Sequence, residues 1–464
     1  MNNVLKIFNT LSRKIEEFVP INNSQVGMYT CGPTVYDYTH IGHLRKYVGD
    51  DILRRILVAS GYSVKHVMNI TDVGHLTSDE DLGDDKLEKG AKDRGESVWE
   101  VAKFFEEYFF KSTNLLNILR PNIVAKATEH IGEQLKLIEK LEDKGFTYQT
   151  PEAIYFDTSK YPDYGKLTGQ KLEDKKVGAR EEVKVDPNKK NPRDFALWFF
   201  TVGRFSNHVM RWSSEYGEGF PGWHIECSAM SMEYLGNTFD IHTGGIDHIS
   251  IHHTNEIAQS EAATGVQFAK YWVHHEFLLV NGEKMSKSKK NFYTIEDIVN
   301  KGFDPLTLRY LFLTAHYRDK INFTWKSLEA SQNALNNLRE IVREWSIDNE
   351  KVAKEVYDKF MDTLNNDLNT PQALAVMWGM VKSDLETSKK AGTILGMDKV
   401  LGLGLEEYIS KKIEVPAKIM KLVDERENAR KSKDFEKSDK IRKKIKDLGF
   451  TIKDAFSGPT IKKD

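Results

Sequence analysis

The chain has 464 residues, of which 40% are hydrophobic and 29% are charged, and its formal net charge is −2. This length predicts several domains, because single hydrophobic cores rarely grow beyond about 250–300 residues. The sequence has no run of about 20 apolar residues and no apolar signal segment at its start, so neither a membrane protein nor a secreted one is expected. The near-neutral charge leaves a nucleic-acid partner open, provided that the basic surface is local.

The chain contains two cysteines, Cys31 and Cys227. Two thiols are too few for a disulfide framework, and we expect a cytoplasmic protein. Two interpretations of the thiols stay open from composition alone, inert packing and metal ligation.

The sequence pattern of the first part of the chain predicts a strand–helix–strand unit. Residues 25–31 form a mostly apolar run with β-formers, which predicts a buried strand. Apolar residues recur at helical spacing over residues 43–60, and Gly61 follows as a candidate C-cap. A second apolar run over residues 63–70 predicts another strand. Such a unit begins a doubly wound parallel sheet, so we predict an α/β fold.

The middle of the chain has the pattern of an insertion over residues 121–204. It contains a predicted helix at 128–144, a predicted strand at 153–156 and a polar stretch rich in lysine and aspartate. Sheet-type patterning returns at residues 238–241 and 272–280.

The sequence pattern after Trp325 predicts almost continuous amphipathic helices. Residues 411–464 are basic, with 17 lysines and arginines against 10 acidic residues. Helical patterns cover residues 417–432 and 435–448. The excess of positive charge suits contact with phosphate, although a solvated charged helical pair has the same composition.

The sequence His-Ile-Gly-His lies at residues 40–43, between the first strand and its helix. Backbone N–H groups at a helix start favour phosphate, and Gly42 lets a flat base or ribose approach the backbone. His40 and His43 fall on one face of the first turn, where they can donate hydrogen bonds to phosphate oxygens in a transition state. An ordinary surface helix start with two histidines is the competing interpretation of these four letters alone.

The sequence Lys-Met-Ser-Lys-Ser lies at residues 284–288, after an apolar strand and the turn Asn281–Gly282. Lys284 and Lys287 are three positions apart and can hold a β,γ-pyrophosphate as it leaves. A solvated lysine and serine loop is the alternative for this segment taken alone. The chain has no GxxxxGK[ST] segment and no GxGxxG after the first strand, which argues against a P-loop enzyme and a dinucleotide oxidoreductase.

The order and setting of these two segments resemble the HIGH and KMSKS motifs of class I aminoacyl-tRNA synthetases. This resemblance implies a Rossmann-type catalytic fold, split by a connective insertion and followed by helical tRNA-binding domains. It assigns roles in catalysis to His40, His43, Lys284 and Lys287. The expected ATP-binding residues are Thr34, His40, Gly42, His43, Lys284, Ser286 and Lys287.

Eight of the 14 histidines lie between His208 and His275. His252 and Glu256 are four residues apart and would face the same way on a helix. Thiolate, imidazole and carboxylate are all zinc ligands, but the distance along the chain between Cys31 and Cys227 makes spacing weak support for one shared site. Buried thiols and a polar helix start remain the alternative at this point.

Three segments resemble the cysteinyl-tRNA synthetase family: YTCGPTVYD at residues 29–37, GWHIEC at 222–227 and HHTNE at 252–256. The resemblance implies one zinc ion per chain, held by Cys31, Cys227, His252 and Glu256, to which the substrate cysteine adds its thiolate. It also implies that Gly32, Thr71, Trp223 and His242, with His224, surround the amino acid. Zinc binds a thiolate far better than a hydroxyl, so the metal would reject serine without an editing domain.

The sequence departs from the family pattern in three places. The family usually has an Asp-Asp-Lys-like turn after Asn-Ile-Thr-Asp, whereas here a longer acidic loop covers residues 73–85. We expect this loop to be solvated, with a second metal site at His75, Asp79, Glu80 and Asp81 as the alternative. HHTNE replaces the more usual HHENE, and Lys289–Asn291 replaces Leu-Gly-Asn after KMSKS, which adds positive charge beside the phosphate-binding loop.

The family resemblance divides the chain into six parts, each an expectation. They are residues 1–120, the first catalytic half; 121–204, the connective insertion; 205–274, the second catalytic half; 275–325, the stem-contact region with KMSKS; 326–405, a tRNA-binding helical bundle; and 406–464, a small anticodon-binding domain.

The resulting functional prediction is an ATP-dependent ligase, EC 6.1.1.16, that activates L-cysteine to cysteinyl-adenylate and transfers it to the 3′-terminal adenosine of tRNA(Cys). Mg²⁺ is expected with ATP, and the family implies a monomer with no membrane contact. Two alternatives stay open. One is a related ligase that joins cysteine to an amino sugar through the same adenylate, and the other is a catalytically silent tRNA-binding paralogue.

Overall fold

The computed structural model describes residues 4–74, 76–78, 82–169, 186–286, 289, 291–347, 351–411, 416–455 and 458–463, with the backbone alone for 76–78, 82–86, 453–455, 458 and 460–463. Lys287 and the alternative metal residues His75, Asp79, Glu80 and Asp81 lie outside the described residues. Within this part of the chain, none of the helices combines the length and apolarity needed to span a membrane.

The strands are short, as is usual in mixed folds. In chain order they are β1 (Lys6–Asn9), β2 (Lys14–Glu17), β3 (Gln25–Thr30), β4 (Ser63–Ile70), β5 (Leu76–Ser78), β6 (Leu82–Asp85), β7 (Ile123–Lys126), β8 (Thr147–Gln149), β9 (Ala153–Phe156), β10 (Phe195–Phe200), β11 (Trp212–Ser214), β12 (Gly217–Pro221), β13 (Phe239–Gly245), β14 (Ala269–His275), β15 (Leu278–Val280), β16 (Glu283–Lys284), β17 (Ile321–Phe323), β18 (Phe450–Ala455) and β19 (Gly458–Lys463).

The helices dominate the second half of the chain. They are α1 (Ile41–Ala59), α2 (Lys86–Arg94), α3 (Val98–Leu115), α4 (Ile131–Asp143), α5 (Trp223–Leu235), α6 (His252–Thr264), α7 (Ile295–Asn300), α8 (Pro305–Leu313), α9 (Trp325–Arg343), α10 (Lys354–Asn365), α11 (Thr370–Lys382), α12 (Thr387–Leu401), α13 (Ala417–Lys431) and α14 (Phe435–Asp447).

The central sheet has the strand order β14-β13-β3-β4-β7, and every pair in it is parallel. The chain runs outward from β3 in one direction and later returns to the other side of β3, which confirms the predicted doubly wound α/β fold. The direction of winding reverses between β3 and β13, and in such sheets ligands bind in the crevice beyond the carboxyl ends of the strands at this point. The topology therefore places a site at Cys31 and Gly245.

The predicted elements of this sheet are mostly confirmed. Strand β4 has the predicted bounds, and α1 begins two residues before the predicted start because His40 caps it. The sheet-type patterning predicted over residues 272–280 is present, and the structure divides this stretch between the end of β14 and β15. The chain leaves the central sheet after His275, and β15 joins a different sheet through β16 and β17. His274, His275 and Glu276 interrupt the apolar run here, and the boundary expected between residues 274 and 275 lies within one residue of the end of β14.

A five-stranded antiparallel sheet, β11-β12-β10-β9-β8, forms the inserted unit. Its membership differs from the predicted insertion at both ends. Strand β7 belongs to the central sheet, whereas β11 and β12, after residue 204, pair within the inserted sheet. Strand β11 is Trp-Ser-Ser and β12 contains two glycines and a proline, so neither has the apolar pattern that would have assigned it to the insertion.

Helices α10 and α12 pack against α1, and one continuous core contains Leu44 and Val48 of α1 together with Leu364 of α10 and Met377 of α11. Helices α13 and α14 have the predicted positions within one residue. Together with β18 they form a separate small core that includes Leu422, Ile441 and Phe450.

A buried ion pair joins helices α1 and α8. Arg309 of α8 donates from a terminal nitrogen to the Asp51 carboxylate of α1 at 2.6 Å, and both side chains are fully buried. Arg309 also donates to the Leu401 carbonyl at 2.6 Å and to the Leu116 carbonyl at 3.0 Å. These charge-assisted hydrogen bonds offset the free-energy cost of removing the Arg309 guanidinium from water.

We expect Asp51→Ala to destabilise the protein by about 3–5 kcal/mol, because it leaves the Arg309 charge buried without its carboxylate. Urea denaturation followed by tryptophan fluorescence measures the loss. Arg211→Met is the matched control, since its pair with Glu218 is exposed and a surface pair contributes at most about 1 kcal/mol. Equal effects of the two substitutions would contradict a stabilising role for the buried pair.

Candidate active site

A cavity of about 530 Å³ opens at the carboxyl ends of β3 and β13. Most of the predicted site residues line it, although they come from segments far apart in the chain. The predicted residues in its wall are Cys31, Gly32, Thr34, His40, Gly42, His43, Thr71, Trp223, Cys227, His252, Lys284 and Ser286. Glu256 and His242 lie behind this wall, and both are fully buried.

The end of β3 is held in place by close backbone contacts. A Cβ on Gly32 would lie 1.7 Å from the Asn69 carbonyl oxygen, so only glycine fits there. The Asn69 side chain accepts a hydrogen bond from the Gly32 N–H at 2.7 Å, and Lys46 Nζ donates to the Cys31 carbonyl at 2.5 Å. These contacts turn the chain sharply after Cys31 and direct its thiol towards α5 and α6.

His40 is the N-cap of α1. Its Nδ1 accepts hydrogen bonds from the backbone N–H groups of Gly42 at 3.1 Å and His43 at 3.2 Å. Because Nδ1 accepts, the proton of the neutral ring lies on Nε2, which can donate. The His40 and His43 rings stack with 3.5 Å between their centroids. A Cβ on Gly42 would lie 3.0 Å from the His40 ring, so the glycine also makes room for this cap.

Desolvation by the surrounding protein keeps both histidines neutral, although His40 is only half-buried and His43 is exposed at the cavity mouth. Desolvation lowers the pKa of His40 to about 2, with the neighbouring His43 adding to the effect. It also lowers the pKa of His43 to about 4, although Asp247 opposes the shift. Hydrogen bonds from these rings to a phosphate would therefore come from neutral imidazoles at pH 7 rather than from imidazolium ions.

The KMSKS segment begins on the hairpin formed by β15 and β16. Asn281 and Gly282 take positive φ angles of 51° and 83°, as the Asn-Gly pair predicts for a tight hairpin turn. The Asn291 side chain accepts from the Ser286 N–H at 2.7 Å and donates to the Lys284 carbonyl at 3.2 Å. The Ile41 N–H donates to the Tyr293 carbonyl at 2.9 Å, so the chain just beyond this segment contacts the HIGH helix directly.

A cluster of candidate metal ligands lies at the base of the cavity. Ligand atoms of Cys31, His252, His253 and Glu256 all lie within 4.8 Å of one another, and the four residues are buried. His252 Nε2 is 2.8 Å from Glu256 Oε1, which confirms that these residues face the same way on α6. Cys227 also belongs to this region, because it packs in the same buried cluster as Cys31 and lines the same cavity.

The two thiols have opposite proton affinities. Burial opposes ionisation of Cys31, but the hydrogen bond with Cys227 and the nearby His253 bring the pKa of Cys31 well below its usual range. The same hydrogen bond, together with burial, raises the pKa of Cys227. The pair thus shares one proton. Burial opposes protonation of His252, yet the Glu256 carboxylate raises the pKa of this histidine to about 10.

The other clustered histidines form a polar layer behind these groups. His242 Nε2 is 2.8 Å from Glu256 Oε2, and His224 Nδ1 is 3.0 Å from His252 Nδ1. His253 Nδ1 is 2.7 Å from His274 Nε2. Such partners orient ligand side chains, which accounts for the density of histidines in this stretch. Contact of His242 with a substrate stays a prediction.

Sequence reasoning missed several residues of the site. Lys46, Asp247 and His248 line the cavity, and His253 lies among the candidate ligands. Lys46 follows His43 at helical spacing and could have been inferred from it. Nothing in the sequence distinguishes His253 from His252 as the histidine closer to Cys31.

A family model described as "tRNA synthetases class I (C) catalytic domain" matches residues 17–333. The protein named Cysteine--tRNA ligase from Treponema denticola is 47% identical, with 99% of each chain covered. The chain belongs to the cysteine–tRNA ligase family. A second relative, Cysteine--tRNA ligase 1 of Burkholderia lata, is 48% identical over 98% of this chain and 96% of its own.

The comparisons also cover the helical region of this family member. A model described as "DALR domain" matches residues 359–406, within α10 to α12 and the segment after it. The structure of Mycobacterium tuberculosis methionyl-tRNA synthetase bound by methionyl-adenylate has a TM-score of 0.56, with 14% identity over 83% of this chain and 92% of that one. At that identity the likeness concerns the fold alone, and it agrees with the class I synthetase architecture predicted from the sequence.

We expect His40 and His43 to remain neutral from pH 8 down to pH 5, since desolvation lowers their pKa values to about 2 and about 4. The fold favours the neutral rings, so the stability they contribute is complete above the ordinary histidine pKa of 6.5 and is lost as the pH falls towards 4. NMR spectra of the imidazole Cε1–H groups, assigned with His40→Asn and His43→Asn, measure the titration. Midpoints near 6.5 would contradict the desolvation argument.

Proposed function

We propose that this protein activates L-cysteine with ATP, releases pyrophosphate, and transfers the cysteinyl group to the 3′-terminal adenosine of tRNA(Cys). The observation that carries this proposal is a single cavity with thiol, imidazole and carboxylate groups at one end and the HIGH and KMSKS segments at the other. Near full-length similarity to two proteins named as cysteine–tRNA ligases supports it and favours it over the amino-sugar ligase.

One Zn²⁺ is proposed at the base of the cavity, held by Cys31, Cys227, His252 and Glu256. The donor set fits this ion, because two thiols, an imidazole and a carboxylate are all zinc ligands and all four are buried. In the described residues the charge partners of the Glu256 carboxylate are histidines rather than lysine or arginine, so a bound zinc ion could replace the proton that His252 holds beside it. Zinc, when bound, would stabilise the thiolate form of a cysteine substrate.

The walls around this end suit a small polar amino acid. Trp223 stacks on the His252 ring with 4.1 Å between centroids, which closes one side of the cavity. Gly32 and Thr71 form the opposite backbone wall, where Thr34 pairs with Thr71 as an isolated bridge. A hydrophobic pocket of this size would separate cysteine from serine poorly, so the discrimination is assigned to the thiolate-binding groups.

ATP is proposed to lie between the two motif segments, with Thr34, Gly42 and Ser286 against it. His40 and His43 would donate to the α-phosphate as the cysteine carboxylate attacks, and Lys284 and Lys287 would hold the departing pyrophosphate. Mg²⁺ would accompany the phosphates. No protein nucleophile is needed, since positioning and electrostatic stabilisation supply the rate enhancement.

The tRNA is proposed to contact the helical region and the basic C-terminal unit. The DALR match and the excess of lysine and arginine after residue 411 support this assignment. The family resemblance alone supports the proposals of a connective unit, now the sheet of β8 to β12, of a stem-contact region at 275–325 and of an anticodon-binding end at 406–464. The expectation of a monomer stays a prediction.

The function is tested by ATP–pyrophosphate exchange with each of the twenty amino acids. Cysteine alone should support exchange. We expect Lys284→Ala to slow it by about 10²-fold or more, the scale of losing one transition-state donor. Lys354→Ala is the control, because its exposed amine on α10 pairs with Asp358 at 2.5 Å and we expect less than about a 3-fold effect from an exposed pair. Exchange supported by another amino acid, or equal effects of the two substitutions, would overturn the assignment.

The ligand set is tested by metal analysis. Purified protein should contain one zinc per chain, and Cys227→Ala should reduce this to a substoichiometric amount because a ligand is lost. His253→Gln is the control, since His253 Nε2 lies 3.3 Å from Cys31 Sγ and is assigned as a hydrogen-bond partner rather than a ligand. Substitution of cobalt for zinc measures the number of thiolate ligands, because two thiolates give a stronger sulfur-to-metal charge-transfer absorption than one. If His253→Gln lost its zinc and Cys227→Ala kept it, His253 would be the ligand and Cys227 would not.

A further inference from the structure

Arg45 is a buried arginine on α1, two residues after the HIGH motif, and only 4% of its surface is exposed. Its guanidinium donates to four backbone carbonyls. The first terminal nitrogen donates to Glu276 O at 2.8 Å and to Phe277 O at 2.6 Å. The second donates to His316 O at 3.2 Å and to Asp319 O.

The four carbonyls lie at the starts of two neighbouring strands. Glu276 and Phe277 form the break after which the chain enters β15, and the turn from His316 to Asp319 leads into β17. Strands β15 and β17 pair in parallel, with Leu278 opposite Ile321. One guanidinium therefore fixes both parallel strands of this small sheet at their first residues.

The third strand of the sheet carries the first KMSKS lysine. Strand β16 pairs with β15 so that Lys284 lies opposite Leu279, two residues beyond the clamped carbonyl of Phe277. The Lys284 ammonium lies 4.5 Å from the centre of the Phe277 ring. The position of Lys284 thus depends on where Arg45 holds Phe277.

The other end of the connection is the HIGH helix itself. Arg45 lies one turn after Ile41, and the helix start is capped by His40. Burial lowers the pKa of Arg45 to about 10, against the attraction of Glu276 and Asp319, so the side chain is charged at neutral pH. A buried cation with four carbonyl acceptors and a fixed fork of donors is a strong geometric constraint.

We propose that Arg45 is a positioning residue for ATP activation, which sets the distance between the HIGH motif and the KMSKS hairpin. The inference rests on the proposed function and assigns this residue a part in it. Arg45 binds none of the candidate zinc ligands, so its influence should fall on the ATP side of the cavity and leave the cysteine side unchanged.

The test compares Arg45→Gln and Arg45→Lys with wild type in cysteine-dependent ATP–pyrophosphate exchange. We expect Arg45→Gln to lower kcat/KM for ATP by about 10- to 100-fold, because misplacement by about 1 Å costs this much. The KM for cysteine should change less than about 2-fold, and Arg45→Lys should recover part of the loss, since it keeps the charge but has no fork of donors.

Arg54→Gln is the matched control. Arg54 lies on the same helix and also donates to a backbone carbonyl, that of Arg120 at 2.8 Å, but this acceptor precedes the far edge strand of the central sheet. We expect its exchange kinetics to match wild type. The proposal would be overturned if Arg45→Gln changed kcat/KM for ATP and KM for cysteine by the same factor. It would also be overturned if Arg45→Gln and Arg54→Gln lowered kcat/KM for ATP equally. A wild-type protein without cysteine-dependent exchange would instead overturn the proposed function.

Wild-type protein provides the test if the variants do not fold. Hydrogen exchange should show the Glu276 and Leu278 amides protected as strongly as those of β14, with the turn at Asn281–Gly282 exchanging faster. Exchange at Glu276 as fast as at the turn would mean that Arg45 does not fix the base of the hairpin, and would overturn the proposal.

Discussion

Helix α1 is buried on nearly all sides, and each charged group on it must be stabilised inside the protein. Asp50 accepts from His275 at 2.9 Å and Lys46 at 3.0 Å, and Asp51 accepts from Arg309 and Arg55. An unpaired charge in this environment is strongly unfavourable. The partners of these groups lie in the central sheet, at His275, and on α8, at Arg309, so pairing the charges fixes α1 against both. The start of the same helix carries candidate ATP-binding residues.

The same physical constraint shapes the base of the cavity. A carboxylate, two thiols and several imidazoles lie there with little water, and each needs a partner. His242 and His224 provide partners for Glu256 and His252, whereas Cys227 and His253 lower the pKa of Cys31 against burial and so leave the proton of the thiol pair on Cys227. A thiolate prepared in this way is the form that binds a metal. At the mouth of the same cavity desolvation has the opposite consequence, since it holds His40 and His43 neutral and so preserves one donor N–H on each ring.

Two glycines show how backbone packing sets side-chain chemistry. Gly32 lets β3 turn against the Asn69 carbonyl, which places Cys31 at the base of the cavity. Gly42 leaves room for the His40 ring over the helix start. The sequence interpretation assigned Gly42 to the approach of a nucleotide, and the structure adds that the cap itself requires it. Both positions therefore combine a fold requirement with a candidate role in binding.

The sequence by itself determined the class of fold, the strand–helix–strand start and the identity of most candidate site residues, because these depend on local periodicity and on motifs a few residues long. Strand β4 and helices α13 and α14 followed from such patterns within a residue. Only the tertiary structure decided which strands β15 pairs with after His275, which strands complete the inserted sheet, and that Arg45 binds the base of the KMSKS hairpin. These features arise from contacts between segments that are not neighbours in the chain, and the separate segments carry no local signal of such contacts. The meeting of Cys31 with His253 has the same origin, since two strands and a helix must pack before the thiol and the imidazole become neighbours.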